Sequence, residues 1–218
     1  MALFLDYHFA IFDYKFDMKA LPTLLCIPDI SGFTQFMSDT NFELSSKVIP
    51  SLLNNIIYSN KIGLKISEIE GDAVLFYRSG ELPAFDELIT QCKLFYTQFY
   101  GQLETLRKKH GNKEDAAKIP EILGLKIVLH FGHEIGVVPV GKMIKLMGED
   151  VIIAHRLLKN DIPINEYILI SEELISMYQN ASKTGRFEWA DLKKGHIEVD
   201  HVGTINFHYI DLHPLVEN

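Results

Sequence analysis

The chain has 218 residues, 47% of them apolar and 23% charged, which suits one folded unit with a sizeable core and excludes disorder on a large scale. Its formal charge of −8 argues against a nucleic-acid backbone or an anionic membrane as the main partner, since either needs a basic face. Two cysteines, Cys26 and Cys92, sit inside apolar patterns and read as reduced core thiols of a cytoplasmic protein.

Residues 1–17 form an aromatic N-terminal extension. Leu3, Leu5, Tyr7, Phe9 and Ile11 share one parity and Phe12, Tyr14 and Phe16 the other, which predicts a strand with a bulge or two short strands. Asp6 and Asp13, the lack of a positive start and the lack of a long apolar run fit neither a signal peptide nor a transmembrane helix.

The remainder, 18–218, reads as a single domain. Leu24 to Ile27 is a short buried strand, and SGFTQFM after it turns and opens a helix, so Asp29 is expected where a strand ends. Apolar residues from Ser45 to Asn60 recur at helical spacing, with Pro50 as a kink or as the start of a second helix. Strands are expected over Lys61 to Ile69 and Ala73 to Tyr77, meeting at a tight Gly71-Asp72 turn. Phe85 to Leu106 is the clearest amphipathic helix, and the charged stretch from Arg107 to Lys118 reads as a solvated helix end and loop. A buried strand at 126–131, glycines at 132, 136 and 141, a helix over Glu149 to Lys159, a strand over Tyr167 to Ser171, a helix over Glu172 to Gln179 and strand-like patches to Leu212 complete the order. That order predicts an α+β sandwich with helices over a mainly antiparallel sheet.

A carboxylate at such a place is usually a helix or turn cap, and Asp29 taken alone reads so. If its strand neighbours the hairpin, however, Asp29 and Asp72 converge into an oxygen-rich site suited to Mg²⁺ or Mn²⁺. His130 and His133 lie on a strand at a spacing that points them to opposite faces, so no zinc site is expected from them. Glu70, Glu149 and Asp150 read as solvated charge, and His155 either approaches phosphate or is a surface histidine.

DISGFT at 29–34, EGDAVLF at 70–76, GHEIGVVPVG at 132–141 and LMGEDVIIAHRL at 146–157 together resemble, in order and spacing, the landmarks of class III nucleotidyl (adenylate/guanylate) cyclase catalytic domains. The resemblance covers about residues 20–212. It implies a ferredoxin-like sandwich, a homodimer with its sites between protomers, and two divalent ions, Mg²⁺ or Mn²⁺, that bind a nucleoside triphosphate and activate a ribose hydroxyl. On this resemblance Asp29 and Asp72 match the metal aspartates and the Ile30 carbonyl matches the backbone ligand. The amides of Gly32, Phe33 and Thr34 match the phosphate cradle, and Arg156 matches the arginine that stabilises the transferring phosphate.

On the same resemblance Glu68 and Lys145 fall at the base-selecting positions, with Lys145 in place of the usual aspartate, threonine or cysteine. A carboxylate accepts from N1–H and the N2 amine of guanine, and an ammonium donates to O6, so guanine is the favoured purine; an ion pair filling that pocket is the alternative. Ile152 stands where the resembled family has a ribose-orienting asparagine, a group whose loss costs about 2–4 kcal/mol of transition-state stabilisation. The expected function is a divergent, dimeric, metal- and purine-nucleotide-binding cyclase-like domain with activity weak, altered or lost. The alternatives are a pseudo-enzyme acting as an interaction module and another metal-dependent phosphoryl transfer.

Overall fold

The computed structural model describes residues 19–110, 122–141, 143–178 and 187–216. The strands expected within 1–17 and most of the charged loop before Lys118 lie outside the described residues.

The centre of the molecule is β1 (Leu21–Ser31), in which every residue from Thr23 to Ile30 is buried. Side chains alternate across a strand, so Leu24, Cys26 and Ile30 enter one apolar core while Leu25 and Ile27 enter a second on the opposite face. A strand covered on both faces belongs in the middle of a sheet. It lies between β3 (Ala73–Ser79) and β4 (Gly124–Val140), antiparallel to both. With β2 (Lys65–Glu70), β6 (Tyr167–Ser171), β7 (Lys193–Val199) and β8 (Gly203–Asp211), the sheet order is β2-β3-β1-β4-β6-β8-β7, and β5 (Met143–Met147) pairs β4 off this path. Only β4 with β6 is parallel among these pairings.

Five α-helices accompany the strands in the described residues: α1 (Phe33–Asp39), α2 (Phe42–Tyr58), α3 (Phe85–His110), α4 (Glu149–Leu157) and α5 (Glu172–Met177), with a short 3-10 helix at His213–Leu215. Asn41 caps α2 by accepting from the Leu44 amide at 3.0 Å, and Pro50 lies inside one continuous helix, so it does not begin a second. In α3, Leu88, Cys92, Phe95, Phe99, Leu103 and Leu106 form a buried stripe against the sheet, as the spacing predicts. Asp86 and Glu87 in its first turn and Arg107 to His110 in its last complement the helix dipole. Cys26 and Cys92 are free and buried in the core beneath this helix. No described helix is long and apolar enough to cross a membrane.

Two expectations change. β1 continues through Asp29 to Ser31, so Asp29 lies on the strand and not at its end. β4 runs 17 residues, straight through Gly132 and Gly136, before the chain reverses at Gly141. These glycines do not break the strand because a glycine can lie on a strand wherever another group needs its Cβ space. At Gly132 a Cβ would stand 2.5 Å from the Asp150 Cβ. The close approach seats the first turn of α4 on the sheet.

Candidate functional site

Asp29 shares its face of β1 with Leu25 and Ile27, the face covered by α4. It is 8% exposed, and its register partners are Ala73 on β3 and Lys126 on β4. The next residue, Ile30, donates its amide to the Asp72 carbonyl at 3.1 Å, and Gly71 takes φ of 60° in the turn between β2 and β3. A tight turn and one backbone bond therefore bring Asp72 beside Asp29. Burial, and next the charge on Asp29, push the Asp72 carboxyl up to about 6.

Lys126 sets its Nζ 3.2 Å from Asp29 Oδ2 and also donates to the Leu158 carbonyl at 3.4 Å. Both carboxylates and this lysine line a cavity of about 870 Å³. Glu68, Glu70, Lys145, Lys159 and His155 add further polar groups, on a wall that includes Ile27, Leu75, Leu146 and Val151. Glu68 and Lys145 join β2 to β5 as an ion pair across this cavity, and that contact holds the Lys145 ammonium above its ordinary pKa.

The other candidate residues are elsewhere. Gly32 takes φ of 77°, and a Cβ on it would lie 1.9 Å from the Ile122 carbonyl oxygen, so only glycine fits this corner. With Ser31 and Gln35 it lines a different cavity, of about 880 Å³. Phe33 packs on the core under α2 and α3, and Thr34 is exposed. Arg156 is exposed on α4 and does not line the carboxylate cavity, and Ile152, one turn earlier, is 57% exposed. Within one chain the fold thus unites Asp29, Asp72, Glu68 and Lys145 and leaves Arg156 outside.

Asp150 corrects an expectation. It is not simply solvated: Oδ1 lies 3.2 Å from Nε2 of the fully buried His130, and Oδ2 accepts from the His133 amide at 3.0 Å. The hydrogen bond with His130 holds the Asp150 carboxyl below its ordinary pKa. His130 reaches Ser171 Oγ at 2.9 Å with its other nitrogen, so the start of α4 is tied through β4 to the end of β6. His133 is exposed while His130 is buried, as their spacing requires.

Sequence reasoning missed Lys126, while His155, for which an approach to phosphate is one reading, lines the cavity. Lys126 carried a signal, being the lone charge in an apolar strand run at 125–129, but its partner depends on cross-strand register. Among the described residues no group of three or more His, Cys, Asp or Glu side chains is gathered to hold a metal. The carboxylate pair therefore offers two anionic oxygen donors, and further ligands have to be carbonyl, water or substrate oxygens.

Three solved structures share this architecture. The catalytic core of a rhodopsin-guanylyl cyclase with converted specificity, in complex with ATPαS, superposes with a TM-score of 0.61 and 17% identity over 88% of this chain and 96% of that one. The guanylate cyclase domain of RhGC from Catenaria anguillulae, in complex with GTP, gives 0.60 and 18% over 88% and 97%. The adenylyl cyclase CyaB from P. aeruginosa gives 0.58 and 18% over 88% and 95%. The fold is that of class III adenylyl and guanylyl cyclase catalytic domains.

By sequence, residues 49–167 match the family described as Protein of unknown function (DUF2652), and the chain belongs to that family. It is also 27% identical, over 164 residues, to the uncharacterized protein Rv2561/Rv2562 of Mycobacterium tuberculosis (strain ATCC 25618 / H37Rv), covering 74% of this chain and 72% of that protein.

Proposed function

We propose that this chain is a cyclase-like domain that binds a purine nucleoside triphosphate with Mg²⁺ or Mn²⁺ on Asp29 and Asp72, with cyclase activity weak, altered or lost. The observation that carries the reading is the convergence on one cavity of the buried Asp29 and the half-exposed Asp72, where the charge on Asp29 raises the Asp72 pKa. A carboxylate whose ionisation is opposed by a neighbouring carboxylate is relieved by a hard divalent cation, so the donor set fits the ion. Bound there, the ion would lower the pKa of a ribose hydroxyl and neutralise phosphate charge.

The chain's own residues supply the rest. The Ile30 carbonyl is the backbone ligand in this reading, whereas Gly32 lines a separate cavity, so the phosphate cradle expected at Gly32 to Thr34 is not part of it. Glu68 and Lys145 already pair with each other, and guanine offers both an acceptor and donors to replace that contact. Arg156 points into solvent on α4, so its role in charge stabilisation needs a second copy of the chain, as in a symmetric homodimer. Ile152 offers no hydrogen bond to a ribose, which is why turnover is expected to be slow.

A pseudo-enzyme is the second reading, favoured by the two lysine contacts: Lys126 on Asp29 and Lys145 on Glu68 neutralise the cavity from within. Calorimetric titration of GTP and ATP into the purified protein, with and without Mn²⁺, separates the two. Metal-dependent binding, tighter for GTP and abolished by Asp29→Ala and Asp72→Ala, is the expected result. Chromatography of the same samples then tests for cyclic product. Absence of binding at roughly millimolar nucleotide, far weaker than typical substrate affinities, leaves only the pseudo-enzyme.

A further inference from the structure

We propose that Lys126 is a built-in counter-ion for Asp29 that a divalent ion must push aside to occupy the carboxylate pair. The inference rests on the metal reading above and adds what opposes the metal.

Geometry carries it. Lys126 is the register partner of Asp29 on the neighbouring strand, and its Nζ lies 3.2 Å from Oδ2. The two side chains are only 22% and 11% exposed, so the contact is sheltered from solvent and feels a stronger field than a surface ion pair. An ammonium at hydrogen-bond distance takes a lone pair of the oxygen that a metal would use, and its positive charge repels a divalent ion nearby. The displaced ammonium is not left without a partner, because Nζ also donates to the Leu158 carbonyl at 3.4 Å. The lysine thus has one partner that a metal competes for and one that it does not.

Lys159 supplies the comparison, since it lines the same cavity and is exposed. If removing any cavity charge were sufficient, both lysines would count equally. If the contact matters, only Lys126 does.

The test is Mn²⁺ binding to the full chain without nucleotide, read by calorimetry and by the electron-paramagnetic-resonance signal of free Mn²⁺. Lys126→Met is expected to tighten binding about tenfold, as removal of a directly competing charge requires, and Lys159→Met by no more than about twofold, as a solvated charge is screened. Lys126→Gln, which keeps a donor but loses the charge, gives a second measurement if the methionine variant does not fold by circular dichroism. Binding by the Lys126 variants where the wild type shows none supports the inference in its strongest form. Equal affinity in wild type and Lys126 variants, or an equal gain from Lys159→Met, overturns it while the metal reading stands. No binding in the wild type or in any variant overturns both.

Discussion

The two faces of the central sheet are built on different terms. Under α2 and α3 the face is closed by a continuous apolar cluster, with Phe76 and Phe95 stacked at 5.6 Å and Tyr96, Phe99 and Leu52 fully buried. Under α4 the apolar cluster is smaller, and beside it the sheet opens into a cavity edged by Asp29, Asp72, Glu68 and three lysines. The first face stores the stability and the second gives part of it up, for the Asp72 carboxyl is held in a place that disfavours its charge. The same β1 serves both, because one strand presents Cys26 to one side and Asp29 to the other.

That division can be broken from the closed side first. Phe95→Ala removes a fully buried ring and should lower unfolding free energy by about 3–5 kcal/mol, measured by urea denaturation. Mn²⁺ affinity per folded molecule should not change; a large loss in the protein that remains folded would mean that the faces are coupled. On the open side, Asp150→Ala leaves the buried His130 without one of its two hydrogen-bond partners and should cost about 1–3 kcal/mol. A matching loss from His130→Ala, with no further loss in the double variant, would confirm that the two act as one tie.

Asp72→Asn carries the opposite sign and the smallest effect. The folded pKa of about 6 exceeds the reference value of 3.8, so the wild type is most stable with this group protonated and loses that contribution as pH rises through about 6. At pH 7 the asparagine variant should be the more stable by about 1 kcal/mol, after discounting the shift for a half-exposed group. The difference should shrink as pH falls from 6 and vanish below 3.8. A gap that stays constant across this range would show that Asp72 is not perturbed.

How far the sequence reached follows the same division. The α3 stripe and the strand Tyr167–Ser171 were legible because periodicity and flanking turn residues specify them locally. The convergence of Asp29 with Asp72 was legible through a turn one residue from the second carboxylate and a motif match at both. The partnership of Asp29 with Lys126 was not, since it rests on the register of two strands almost a hundred residues apart. The full length of β4 was hidden because glycine reads as a turn when its neighbours in space are unknown, and Asp150 fills the space above Gly132.

The position of β1 between β3 and β4 also sets an order of events during synthesis. Its pairing with β3 is available once the chain has passed Ser79, whereas β4 emerges only after α3 and the segment that follows it. The contact between β1 and β4 spans a long loop and forms late. The carboxylate pair thus draws only on residues before Ser79, whereas its counter-charge at Lys126 arrives with β4.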